Sequence, residues 1–133
     1  MGDHRRRAAE AMPLILVVDD SLYQRRVICD MVREAGYETL EAFDGEDGLE
    51  KVATGRLACA LVDLLMPGKG GLELLESLKD QGSSLPVIIL MADVQESIRK
   101  KCMQLGAAAV VTKPVDAAVL IPAIGQALDR DRT

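Results

Sequence analysis

Short, unbroken apolar runs alternate along this chain with longer stretches in which apolar residues recur at helical spacing. Leu14-Ile-Leu-Val-Val18 is the first run. Continuous rather than alternating hydrophobicity is expected of a strand covered on both faces. After Ser21 the pattern changes: Leu22, Val27, Ile28, Met31, Val32 and Ala35 share a broad helical face, and Gly36 is a suitable stop. Tyr37–Ala42 reads as a short edge strand. Asp44-Gly45 punctuates the chain, and Gly48–Val52 predicts a short helix ending near Gly55. Leu57–Val62 is the third strand, and Met66-Pro67-Gly-Lys-Gly-Gly71 reads as a loop. Leu72, Leu74, Leu75 and Leu78 then line a helix closed by Gly82. Pro86 introduces a fourth strand, Val87–Leu90. Val94, Ile98, Cys102 and Leu105 mark a helix stopped by Gly106, and Ala108–Val111 is the fifth strand. Asp116 is placed to cap a last helix reaching about Leu128. Pro122 inside it removes one backbone hydrogen bond, so a kink or a delayed start is expected.

Five strands alternating with five helices predict one doubly wound α/β domain with right-handed connections. Residues 1–12 are polar and charged and read as a flexible lead, 13–129 as the domain, and 130–133 as a short tail. A chain of 133 residues suits a single domain that needs no disulfide staples. Its net charge of −5 and absence of Trp argue against direct nucleic-acid binding. Arg5-Arg6-Arg7 and the lone His4 fall in the lead and read as solvated. Cys29, Cys59 and Cys102 are far apart and lie in apolar patterns, so they read as buried thiols rather than zinc ligands. No apolar run approaches the ~20 residues of a membrane span, and no signal-peptide pattern opens the chain. A reducing cytoplasm is the expected setting.

The candidate chemistry lies at the strand ends. Asp19 and Asp20 follow the first strand, Asp63 the third and Lys113 the fifth. Ligands of open parallel sheets bind beyond the carboxyl ends of the strands. Three carboxylates and one ammonium would gather there, a set suited to a divalent metal and a phosphoryl group. Two carboxylates ~4 Å apart repel by about 4 kcal/mol at an effective dielectric of ~20, which favours a cation between them. Taken singly, each residue has a plainer reading: a turn aspartate, a helix cap, a surface lysine. Capping by Asp20 or Ser21 leaves Asp19 unexplained.

The run Leu61-Val-Asp63-Leu-Leu-Met66-Pro67-Gly-Lys-Gly-Gly71 resembles the phospho-acceptor segment of response-regulator receiver domains. So do the acid pair in Leu16-Val-Val-Asp19-Asp20-Ser21 and the closing Thr112-Lys113-Pro114. The resemblance covers about residues 13–129. It implies a CheY-like fold with strand order 2-1-3-4-5, and a signalling domain rather than an enzyme. Asp63 would accept a phosphoryl group from a histidine kinase. Mg²⁺ would be held by Asp19, Asp20, Asp63 and the backbone carbonyl of Leu65. Lys113 would meet the phosphoryl oxygens from a cis Lys113-Pro114 bond. The implied partners are a sensor histidine kinase or phosphotransfer protein and a downstream protein target; a homodimer is a further expectation, drawn from the apolar surplus of the last helix.

Two positions depart from the family pattern. Met91 stands where receivers usually carry Thr or Ser, and Val110 where they often carry Tyr or Phe. The hydroxyl and the ring normally link the phosphoryl group to the surface of the fourth helix, fifth strand and fifth helix. A hydrogen bond to a charged group is worth about 1.5–3 kcal/mol, so its loss weakens the expected two-state shift. An alternative is therefore a pseudo-receiver that switches weakly, or binds partners without phosphate. A nucleotide-binding enzyme is disfavoured, because no G-x-G-x-x-G follows the first strand and no P-loop is present. The last helix carries more apolar positions than one buried face requires, Val119 and Ile121 among them, so docking and simple burial both remain open.

Overall fold

The structure is a computed structural model that describes residues 12–92 and 95–132. Most of the predicted lead, with His4 and the arginine run, lies outside the described residues, as do Val94 and Thr133. The strands are β1 (Leu14–Val18), β2 (Glu38–Ala42), β3 (Cys59–Asp63), β4 (Val87–Met91) and β5 (Ala109–Thr112). The helices are α1 (Leu22–Glu34), α2 (Gly45–Val52), α3 (Gly71–Asp80), α4 (Glu96–Gln104) and α5 (Ala117–Arg132). All strand pairs are parallel, in the order β2-β1-β3-β4-β5. This is the doubly wound fold expected.

Side chains alternate across each strand, so the unbroken apolar runs feed two cores at once. Ile15 and Val17 pack on one face with Ile28, Val32, Leu120 and Ile124 of α1 and α5. Leu16 and Val18 pack on the other with Leu74, Leu78 and Cys102 of α3 and α4. Leu16 is fully buried, and truncating such a leucine to alanine costs about 2–5 kcal/mol. The edge strand β2 exposes Glu38, as its more polar sequence requires. Cys29 and Cys102 are buried free thiols, pushed above the ordinary thiol value first by burial, and Cys59 is buried in β3.

Two helices differ from expectation. α2 begins at Gly45 rather than Gly48, because the Asp44 carboxylate accepts the Asp47 N–H at 2.8 Å and starts the helix in a polar stretch without apolar periodicity. α5 starts at Ala117, where the Asp116 carboxylate accepts the Ala118 N–H at 3.0 Å, and runs past Leu128 to Arg132. It crosses Pro122 with no delayed start. Pro122 and Ala118 are both exposed, so the Ala118 carbonyl left without a helical partner faces solvent.

Two glycines set how the elements close on the strand ends. A Cβ at Gly45 would run into the Lys69 carbonyl oxygen, so this glycine lets the loop after β3 cross the start of α2. A Cβ at Gly71 would lie 2.9 Å from the Asp63 carbonyl oxygen, so this one lets α3 begin against the end of β3.

Candidate functional site

Parallel register brings the ends of β1, β3, β4 and β5 side by side: Val18 pairs with Val62, Asp63 with Leu90, and Met91 with Thr112. Asp19 continues β1 and is fully buried, its N–H donating to the Ala42 carbonyl at 3.1 Å. Its Oδ1 accepts the Ser21 N–H at 2.9 Å, which holds the carboxylate as α1 begins. Ser21 caps that helix through its hydroxyl oxygen, and Asp20 stays exposed beside it. Asp63 ends β3 and is 8% exposed. One oxygen each of Asp19, Asp20 and Asp63 lies within 4.8 Å of the others. The peptide Lys113-Pro114 is cis, as the resemblance implied. The Lys113 ammonium stands 3.2 Å from Asp63 Oδ1 and 3.4 Å from Asp19 Oδ2.

These side chains share a cavity of about 240 Å³ that also includes Leu65 and Met91. Burial pushes the Asp63 carboxyl above the ordinary carboxylate value, and the Asp19 charge adds to the rise. Lys113 and the Leu65 N–H pull the other way without cancelling it. One ammonium therefore does not balance three carboxylates. Charges ~5 Å apart at an effective dielectric of ~20 still repel by about 3 kcal/mol per pair. The donor set is all oxygen, partly buried and open to solvent at Asp20. Such a set fits a hard divalent cation that keeps some of its water.

Two contributors come from α1, whose sequence pattern predicts only an apolar face. Gln24 accepts a hydrogen bond from Lys113 at 2.7 Å. Arg25 donates to the Asp19 carbonyl at 2.7 Å and to Glu41 at 2.8 Å, bracing β1, β2 and α1 together. The available signal was position: Gln24 lies in the first turn of the helix that starts beside the acid pair. Met91 is buried at the end of β4 and reaches the cavity, while Thr112 is exposed. Val110 lies within β5, half-buried against the α3–α4 core.

A family model for the response regulator receiver domain matches residues 15–125. This chain belongs to that family. The receiver domain is 34% identical over 110 residues to the transcriptional regulatory protein DltR of Streptococcus agalactiae, covering 83% of this chain and 49% of DltR. It is 32% identical over 107 residues to the sensor histidine kinase RcsC of Salmonella typhimurium, covering 80% of this chain and 11% of RcsC. The chain thus spans about half or less of the curated relatives it matches. The chemotaxis protein CheY4 of Vibrio cholerae superposes with a TM-score of 0.83 at 27% identity, covering 89% of this chain and all of that one. The receiver domain is CheY-like and is a module of two-component signalling. Among the described residues, no helix is long and apolar enough to cross a membrane.

Proposed function

We propose that this receiver domain accepts a phosphoryl group on Asp63 and signals to a protein partner by doing so. One observation carries the reading: three carboxylates and an ammonium converge on one cavity at the carboxyl ends of β1, β3 and β5. The donor is a phosphohistidine of a sensor histidine kinase or a phosphotransfer protein, and a cytoplasmic setting follows from such a donor. An Asp63 carboxylate oxygen attacks phosphorus while the phosphorus–nitrogen bond breaks. The bonding pair returns to the donor imidazole, and the product is an acyl phosphate.

Asp19, Asp20 and Asp63 would hold Mg²⁺ with the Leu65 backbone carbonyl. Bound there, the cation supplies positive charge to the transferring oxygens. Lys113 offers its ammonium to the same oxygens. The domain then presents its α4-β5-α5 surface to a downstream protein or to a second copy. Met91 has no hydroxyl to donate, so the phosphoryl group reaches that surface without the hydrogen bond family members usually make. Met91→Thr is expected to strengthen phosphorylation-dependent partner binding; unchanged binding would remove Met91 from the switch. The acid cluster and lysine are complete, and nothing favours a phosphate-independent interaction module over this reading.

The deciding experiment is incubation with acetyl phosphate and Mg²⁺, read by intact mass. A gain of ~80 Da, the mass of a phosphoryl group on the nucleophile, is expected, and its disappearance in Asp63→Asn. An unmodified wild type, or a gain that persists in Asp63→Asn, would sink the proposal.

A further inference from the structure

Lys113 has three acceptors, and one of them lies outside the acid cluster. The shortest contact, 2.7 Å, runs from the ammonium to the Gln24 side-chain oxygen on α1. Those to Asp63 and Asp19 are longer, 3.2 and 3.4 Å. An ammonium carries three N–H donors, so these three oxygens saturate it. The closest is the neutral one, although both carboxylates attract the ammonium by charge.

The acyl-phosphate chemistry makes this division matter. A cation held by Asp19 and Asp63 would occupy some of their lone pairs, and phosphorus would take an oxygen of Asp63. Both charged contacts of Lys113 would then weaken. The Gln24 oxygen is needed by neither. It can keep one N–H fixed while the other two turn to phosphoryl oxygens.

The backbone under Gln24 is itself held firmly. Its N–H donates to the Ser21 hydroxyl oxygen at 3.2 Å. The next residue, Arg25, ties α1 to the Asp19 carbonyl and to Glu41.

We propose that Gln24 is a positioning residue that tethers the Lys113 ammonium and draws part of its hydrogen bonding away from Asp19 and Asp63. The inference rests on the phosphoryl-acceptor reading for its purpose, but the tether can be measured without phosphate. Gln24→Met keeps the length of the side chain and removes the acceptor. In that variant the ammonium is left with the two carboxylates alone and competes more strongly with the cation. Mg²⁺ affinity, followed by amide NMR shifts, is expected to fall about three- to tenfold, the scale of losing one charge-assisted hydrogen bond at an exposed site. Acyl-phosphate formation from acetyl phosphate slows with it. Gln24→Glu, which keeps an acceptor oxygen, restores both.

The decisive arm is a double-mutant cycle with Lys113→Ala, since an effect carried through the lysine vanishes in its absence. Mg²⁺ affinity unchanged in Gln24→Met, or lowered equally in the Lys113→Ala background, overturns the tether. A wild type that shows the Mg²⁺ effect but gains no mass overturns the phosphoryl-acceptor reading and leaves the tether standing.

Discussion

Asp47 and Asp63 are two aspartates with similar exposed area and the same kind of partner, and they behave in opposite ways. They are 9% and 8% exposed, and each sits near a lysine. At Asp47, burial opposes ionisation but is outweighed. The Lys51 hydrogen bond, the Phe43 N–H and the attraction of Lys51 and Arg25 hold the carboxyl below its ordinary value. At Asp63, burial dominates and a second acid, Asp19, reinforces it, so the carboxyl is raised. Two differences separate them: Asp63 lies deeper among its neighbours, and it has no lysine to itself. Lys51 makes a 2.6 Å contact to Asp47, whereas Lys113 divides itself among Asp63, Asp19 and Gln24. A carboxylate satisfied by its neighbours serves the fold. One left short of positive charge is ready for something from outside.

The contrast can be broken most sharply by stability. Asp47→Ala leaves the Phe43 N–H without its acceptor and is expected to cost about 2–3 kcal/mol in urea unfolding. Asp63→Asn, measured in a chelator, removes a repulsive charge and is expected to leave stability unchanged or raise it by about 1 kcal/mol or less. Equal losses in the two variants would erase the distinction.

A smaller effect sharpens it through pH. A lowered carboxyl stabilises the fold above the ordinary aspartate value of about 3.9, and that contribution is lost as pH falls through its folded value. A raised carboxyl does the reverse. Its contribution is present below about 3.9 and is lost as pH rises through its folded value. The advantage of wild type over Asp47→Asn should therefore shrink on acidification below about pH 4. Relative to Asp63→Asn, wild type should lose ground as pH rises above about 4 in the absence of metal. Parallel pH curves for the two variants would contradict the assigned directions.

Much of the fold was readable because burial on both faces writes itself as unbroken apolar runs. Leu14–Val18 and Val87–Leu90 show this plainly. The strand order was not readable from periodicity, which says nothing about neighbours; it came from resemblance. Asp19, Asp20, Asp63 and Lys113 were found because each follows such a run. Gln24 and Arg25 were missed because polar residues between the apolar positions of an amphipathic helix pattern read as solvated, although Arg25 is largely buried. Their roles depend on the tertiary approach of α1 to β1 and β5. The early start of α2 was hidden for a local reason: Asp44 caps a turn that has no apolar face. Pro122 misled because its cost depends on whether the freed carbonyl is buried, which the position alone does not say.

Helix α5 settles where the polypeptide comes and goes. It starts beside the cis-prolyl corner and turns back along the sheet for 16 residues. That is ~24 Å of helix, against ~17 Å for a five-residue strand. A helix that runs back against parallel strands ends at their beginnings, and Leu128 is still packed against the core that α5 shares with the sheet. Arg132 therefore emerges near the floor of the sheet, the same side from which Leu14 enters β1. Both junctions thus lie on the side of the sheet opposite the acidic mouth, and neither end of the described fold crosses that opening.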